Sequence, residues 1–269
     1  NKHKEFYPET RLFNLSRSGF AGMQRMSTFP WSGDVQRSFS GLQAQIPIML
    51  GMSMSGVSYM HSDLGGFTGG GQNNELYTRW LQLGAFSPVM RAHGEGVPTE
   101  PVNYPVLNKN IVKNYINLRH EFLPYNYSIA DPILAGINDQ YFWGDNIMVA
   151  PVVIENQNLR NVIFPSGNWI DYWSLNEYKG GTQRSISAPL NILPFFIRAG
   201  SLIPLSVNST ASKFNHNALR FKFYPDEDVI NSKLIVYDDD GKKVTNDPSN
   251  SMEKIILIAS NSNNSLLIN

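Results

Sequence analysis

Two carboxylates stand where this chain makes them costly. Asp34 lies in "WSGDVQRSF" (Trp31 to Phe39), behind a tryptophan and a glycine, and Asp63 closes the apolar run "YMHSDLGGF". Apolar surroundings disfavour the charged form of a carboxyl group, so an Asp34 enclosed by aromatics would hold its proton near neutral pH. That is what a general acid needs to protonate a leaving-group oxygen. Trp31 would wall such a site. The same Ser-Gly-Asp spacing is common at turns and helix caps. Asp63 has a similar pair of readings: a cap or turn beside Gly65 and Gly66, or an acceptor for ligand hydroxyls with Phe67 stacking nearby. Arg17 in "SRSGF" and His93 in "RAHGEG" end two further short apolar runs. A lone histidine is commonly a structural donor. Four polar groups at four strand ends suggest more, because in a parallel α/β architecture those ends face one cavity.

The elements that would position these groups alternate. Between residue 11 and about 130, "RLFNLS", "SGVSYMHSD" and "SPVMRAH" read as strands, and "SFSGLQAQIPIMLGM" and "NNELYTRWLQLGAF" as helices. In the second helix Leu76, Trp80 and Leu83 fall on one face. "NKNIVKNYINLRHEFLPYNYSIA" is a third helix, opened by an Asn cap and tolerating Pro124 only at a kink or end. Strand, polar loop and helix in repetition indicate a parallel sheet or barrel. From about residue 140 the texture changes to short β-rich runs punctuated by Gly, Pro, Asn and Asp, as in a β-sandwich. "SVNSTASKFNHN" (Ser206 to Asn217) reads as a polar linker.

Composition removes several function classes. Lys plus Arg total 22 and Asp plus Glu total 22, so there is no basic stripe for nucleic acid or an anionic membrane surface. Cysteine is absent, which excludes disulfides and thiolate catalysis. No apolar run is long enough to span a bilayer, and no signal peptide is evident. The histidines are scattered without metal-ligand spacing, so no metal or other cofactor is expected. "YDDDGKK" places Val236 and Asp247 where a calcium loop needs aspartate and glutamate, and reads as a hairpin turn. "GGFTGGGQ" lacks the register and the lysine of a phosphate loop.

Taken together, several stretches resemble glycoside hydrolase family 31, the α-glucosidase and α-xylosidase family. They are "SRSGFAGMQR", "WSGD", "SGVSYMHSDLGGF", "ELYTRWLQLGAFSPVMRAH", "LRHEFLPYNY", "DQYFWGDNIMVAPV", "FPSGNWIDYW", "APLNILPFFIRAGSLIP" and "YDDDG", in family order and over most of the chain. The resemblance implies the carboxyl-terminal portion of a (β/α)8 barrel over residues 1–138. A proximal β-sandwich follows over 139–206, and the start of a distal β domain over 207–269. It implies that Asp34 is the general acid/base of a retaining hydrolase. Arg17, Trp31, Asp63, Phe67 and His93 would contact the sugar in the cleavage subsite. The implied partner is an oligosaccharide, with α-glucosidase activity expected first and α-xylosidase second.

The resemblance also marks two departures. A retaining enzyme needs a second carboxylate, roughly 5–5.5 Å from the first, as nucleophile. The family carries it in a Trp-x-Asp-Met-Asn-Glu-like segment upstream of the Ser-Arg-Ser strand, and no such segment occurs here. The nucleophile is therefore expected outside this chain, in an amino-terminal half of the same enzyme, and the chain alone is expected to be inactive. Near Ala130 the last barrel strand is expected to be missing, since "SIADPILAGINDQYF" follows "LPYNY" almost at once.

Overall fold

The computed structural model describes residues 2–129, 136–208, 218–229, 231–239, 253–262 and 265–268. The chain opens with the short helix α1 (Lys2–Phe6), followed by strands β1 (Asn14–Ser16) and β2 (Thr28–Pro30). Helices α2 (Phe39–Met54), α3 (Asn74–Ala85), α4 (Val106–Glu121) and α5 (Leu123–Ser128) come next. The β-rich part then runs through β3 (Gly136–Ile137), β4 (Gln140–Trp143), β5 (Ile147–Val149), β6 (Leu159–Phe164), β7 (Asn168–Asp171) and β8 (Glu177–Lys179). After it come β9 (Thr182–Ser187), β10 (Phe195–Arg198), β11 (Ser201–Ser206), β12 (Leu219–Tyr224), β13 (Asn231–Asp238), β14 (Glu253–Ser262) and β15 (Ser265–Ile268).

The first part is a section of parallel barrel wall. β1 pairs with β2 in parallel, Asn14 opposite Thr28 and Ser16 opposite Pro30. Trp31 then bridges His61, and Leu64 bridges Ala92, both in parallel. Four extended segments thus lie side by side and point the same way. The two expected strands around residues 57–63 and 87–93 keep only these single bridges. They are extended segments joined at one residue, not full ladders. Among the described residues the wall stays open, and a cleft of about 1140 Å³ lies between it, α4 and α5, lined by Phe13, Phe29, Tyr59, Met90 and Ile116 among others.

The helices begin where the chain supplies a donor or acceptor to start them. Ser38 caps α2 by accepting from the Gly41 N–H, and Asn73 caps α3 by accepting from the Leu76 N–H. The third expected helix differs from its sequence reading. It starts at Val106 after Pro105, without an Asn cap, and it breaks at Phe122 so that Pro124 sits in the first turn of α5. A proline costs no backbone bond there, because first-turn N–H groups have no intrahelical acceptor.

α3 departs further from expectation. Every residue from Leu76 to Ala85 is buried, not one apolar face. The cause is tertiary. β4, β5, β10, β7, β8 and β3 form a six-stranded sheet in the order β3-β4-β5-β10-β7-β8, and β6 pairs with β9. The connection before β10 lies over the polar face of α3. Arg79 there donates to the carbonyls of Gln157, Ala188, Pro189 and Ile192, and Gln82 Nε2 donates to Leu190 O at 2.7 Å. Phe86, Phe122, Trp143 and Phe195 form one aromatic cluster across the same junction. A second core of Met148, Val162, Phe164, Trp169 and Phe196 fills the space between the sheet and the β6–β9 pair.

β11 pairs with β12, while β13, β14 and β15 form a separate antiparallel sheet. Three expectations fall outside the described residues. They are the loss of a barrel strand near Ala130, most of the linker ending at Asn217, and the turn at Gly241. No described helix is long and apolar enough to cross a membrane.

Arg79 is buried, with most of its hydrogen bonds going to backbone carbonyls and one to Gln82 Oε1. Replacing it by methionine keeps much of the volume and leaves those carbonyls unpaired, at a cost of about 2–4 kcal/mol. Urea unfolding of Arg79→Met should show that loss, and Arg79→Lys should recover part of it.

Candidate active site

The parallel register brings the polar residues to one end of the wall. Arg17 follows β1, Trp31 follows β2, His61 and Asp63 follow the third segment, and Arg91 and His93 follow the fourth. The backbone pairing is explicit at each step. His61 N–H donates to Pro30 O, Ser32 N–H to His61 O, and Leu64 N–H to Arg91 O.

Arg91 ties three of these segments together. Its Nη2 pairs with Asp63 Oδ1, its Nε donates to His61 Nε2 at 3.2 Å, and its guanidinium lies 5.4 Å from the Trp31 ring centroid. His61 and Asp63 are fully buried. Burial foremost, with the adjacent Arg91 charge acting in the same direction, lowers the His61 pKa to about 4. The imidazole is therefore neutral, Nε2 accepts from Arg91, and the proton sits on Nδ1. Burial pushes the Asp63 carboxyl up, while Arg91 and His93 oppose that by favouring its charged form. The Asp34 charge raises it slightly, so the two carboxylates share one electrostatic field. Trp80 of α3 donates to Ser62 Oγ at 3.0 Å and pins the segment between them.

The structure does not give Asp34 the apolar enclosure expected from its sequence setting. Its side chain is 39 % exposed and forms an ion pair with Arg17, Nη1 to Oδ2 at 3.0 Å. The apolar enclosure expected for Asp34 belongs to Asp63. The reason lies in the backbone: Gly33 has φ +79°, a left-handed conformation that turns the chain after Trp31. Its vacant Cβ position faces the Arg17 side chain at 3.6 Å. Asp34 thereby faces a cation and solvent.

Phe67 and His93 stand together at the mouth, ring centroids 5.4 Å apart and tilted by 31°. All six residues singled out from sequence lie at this end of the wall. The sequence reading passed over His61, Arg91 and Ser32. A signal was available: His61 and Asp63, like Arg91 and His93, are two positions apart, and an extended chain repeats its face with that period.

Among the described residues, four buried polar atoms here have no hydrogen-bond partner: Trp31 Nε1, Ser32 Oγ, His61 Nδ1 and Asp63 Oδ2. They comprise two N–H donors, one carboxylate acceptor and one hydroxyl that can do either. Unpaired buried polar atoms are costly, so this end of the wall carries uncompensated polar groups. Among the described residues no group of three His, Cys, Asp or Glu could hold a metal ion.

A parallel barrel wall with polar residues gathered at the carboxyl ends of its segments, followed by a β-rich part, is a section of a TIM-barrel fold with its candidate site at the usual end. Comparison makes this specific. The glycosyl hydrolases family 31 TIM-barrel domain matches residues 1–129, and the glycosyl hydrolase family 31 C-terminal domain matches residues 118–203. The chain belongs to glycosyl hydrolase family 31.

Its relatives include an α-xylosidase of Saccharolobus solfataricus, 33% identical over 259 residues, covering 86% of this chain and 35% of that protein. α-Glucosidase 2 of Bacillus thermoamyloliquefaciens is 32% identical over 254 residues, covering 86% of this chain and 32% of that protein. Among solved structures, a Flavobacterium johnsoniae family 31 dextranase complexed with glucose aligns with TM-score 0.90 at 27% identity. That alignment covers 99% of this chain and 37% of that one. The chain thus spans about a third of the length of these relatives.

The low pKa of His61 has a consequence for stability. Between about 4 and 6.5 the unfolded chain binds a proton that the folded chain does not, so stability falls as pH drops through that window. His61→Gln should flatten this part of the pH–stability profile, measured by denaturant unfolding. Arg91→Met, by removing a nearby positive charge, should raise the titration midpoints of both His61 and Asp63 in NMR.

Proposed function

We propose that this chain supplies the acid/base side of a retaining α-glycoside hydrolase. Asp34 is the general acid that delivers its proton to the glycosidic oxygen as the bond to the anomeric carbon breaks. It then takes a proton from the water that releases the sugar. Exposure suits this cycle, since Asp34 must meet both the leaving group and the water. Protonation removes its charge, and with it the attraction to Arg17, which is then free to bind a substrate hydroxyl.

The observation that carries the reading is the gathering of Asp34, Arg17, Trp31, Asp63, Phe67 and His93 at one end of the parallel wall, with Asp34 paired to Arg17 and Phe67 beside His93. Arg17 and His93 would reach the ring hydroxyls of one sugar, with Trp31 as a wall and Phe67 as a platform. Asp63 is unsuited to nucleophilic attack, being fully buried and held by Arg91. The nucleophile is proposed to come from polypeptide outside this chain, because the family's motif for it does not occur in the sequence.

The preferred substrate is a terminal α-linked glucose, as the name of the Bacillus relative suggests. The Saccharolobus α-xylosidase, at similar identity, supports α-xylosides as the second reading. The ratio of kcat/KM on aryl α-glucosides and α-xylosides distinguishes them.

The test has two parts. The chain alone should give no turnover of an aryl α-glucoside, and turnover should appear once the preceding barrel segment completes the wall. In that complete enzyme, Asp34→Asn should lower kcat on substrates with poor leaving groups by about 10²–10⁴-fold, and far less on activated aryl glycosides. Unchanged hydrolysis of maltose-type sugars by Asp34→Asn would sink the assignment. A complete barrel without activity would favour a sugar-binding relative that has lost catalysis.

A further inference from the structure

Arg37 lies three residues beyond Asp34 and is only 7 % exposed, and its guanidinium bonds go to backbone carbonyls, not to the side chains of the site. Its Nη1 donates to the carbonyls of Gly69 at 2.8 Å and Gly70 at 3.2 Å. Its Nη2 donates to those of Phe67 and Glu95, both at 2.8 Å. These four acceptors come from two separate connections, one after the third wall segment and one after the fourth. Among the described residues Arg37 pairs with no carboxylate: its two terminal nitrogens are spent on backbone, and its buried Nε has no partner.

Four carbonyl oxygens turned toward one point repel each other unless a cation stands between them. A planar guanidinium, with its forked donors, can serve all four at once, whereas an ammonium has three donors on a single atom. The backbone closes around the same residue. Arg37 N–H donates to Thr68 O, Phe67 N–H to Val35 O and Glu95 N–H to Phe67 O. Gly66 makes the approach possible: its φ is +82°, and a Cβ there would stand 2.5 Å from Arg37 Cα. Thr68 Oγ1 adds a bond to Glu95 Oε1 at 2.9 Å across the two connections.

We infer that Arg37 is a positioning residue for the sugar site: it gathers the two connections that carry Phe67 and His93, and so sets the place of that ring pair. The inference rests on the reading of this end of the wall as a glycoside site. The ring pair flanks the ligand and moves no proton. Its displacement therefore weakens ligand binding more than it slows the chemical step.

The test compares Arg37→Met with Arg79→Met, a second buried arginine that also holds backbone carbonyls but lies at the joint with the sandwich. In the isolated chain, Arg37→Met should speed amide exchange at Phe67 and Glu95 about tenfold and shift the His93 ring signals, while Arg79→Met does neither. In the enzyme with a complete barrel, Arg37→Met should raise KM for an aryl α-glucoside roughly fivefold, the size of one lost ring contact, with kcat changed less. Arg79→Met should lower stability with KM unmoved. Should Arg37→Met fail to fold, Arg37→Lys keeps the charge and should give intermediate values of both readouts. Unchanged loop exchange overturns the inference, and so does faster exchange with an unchanged KM. If the complete wild-type enzyme proves inactive, the glycoside reading fails, and the exchange rates and His93 signals alone decide whether Arg37 places the ring pair.

Discussion

One guanidinium holds the end of the wall together. Arg91 pairs with the buried Asp63, donates to the buried His61 and covers the ring of Trp31. These contacts reach two neighbouring segments, and backbone bridges alone join those segments at single residues. Without Arg91, Asp63 would be a buried carboxylate with no counter-charge, a costly arrangement in a protein interior. With it, the carboxylate keeps one oxygen paired and one oxygen open, and His61 is fixed in the tautomer that turns its proton away from Arg91. The polar character of the site follows from that one placement.

The two carboxylates are distinguished by their surroundings. Asp63 is sealed in and tied to the Arg91 guanidinium. Asp34 is 39 % exposed and paired with Arg17. Two acids of one residue type thus take opposite environments at one end of the wall. The difference comes from the left-handed Gly33 on one side and the run of buried residues from His61 to Gly66 on the other.

Buried and half-buried arginines recur as fasteners in this fold. Arg37, Arg79 and Arg119 each spend their guanidinium donors largely on backbone carbonyls in place of a carboxylate partner. Each ties a connection to a helix or loop remote in sequence: Arg79 joins α3 to the sandwich, and Arg119 joins α4 to the turn after α3. Carbonyl ends that regular structure leaves unpaired have to be satisfied by something when they are buried. Arginine, with its forked geometry, does this for several at once. The result is a barrel section and a β-sandwich that share one continuous core.

Much of this was legible in the residues. The alternation of apolar runs and polar loops marked a parallel wall, Ser38 and Asn73 marked helix starts, and the polar ends "SRS", "WSGD", "HSD" and "RAH" marked the site. These signals are local, set by propensity, capping and period, so a linear reading can recover them. The environment of each group was not legible. Asp34 and Asp63 look alike in sequence, and only the fold decided that Asp63 would be enclosed and Asp34 paired at the surface. The complete burial of α3 and the roles of His61, Arg91 and Arg37 were likewise decided by the fold. Each depends on a partner some 30 or more residues away, and no short-range pattern records which distant carbonyl or carboxylate a side chain will meet.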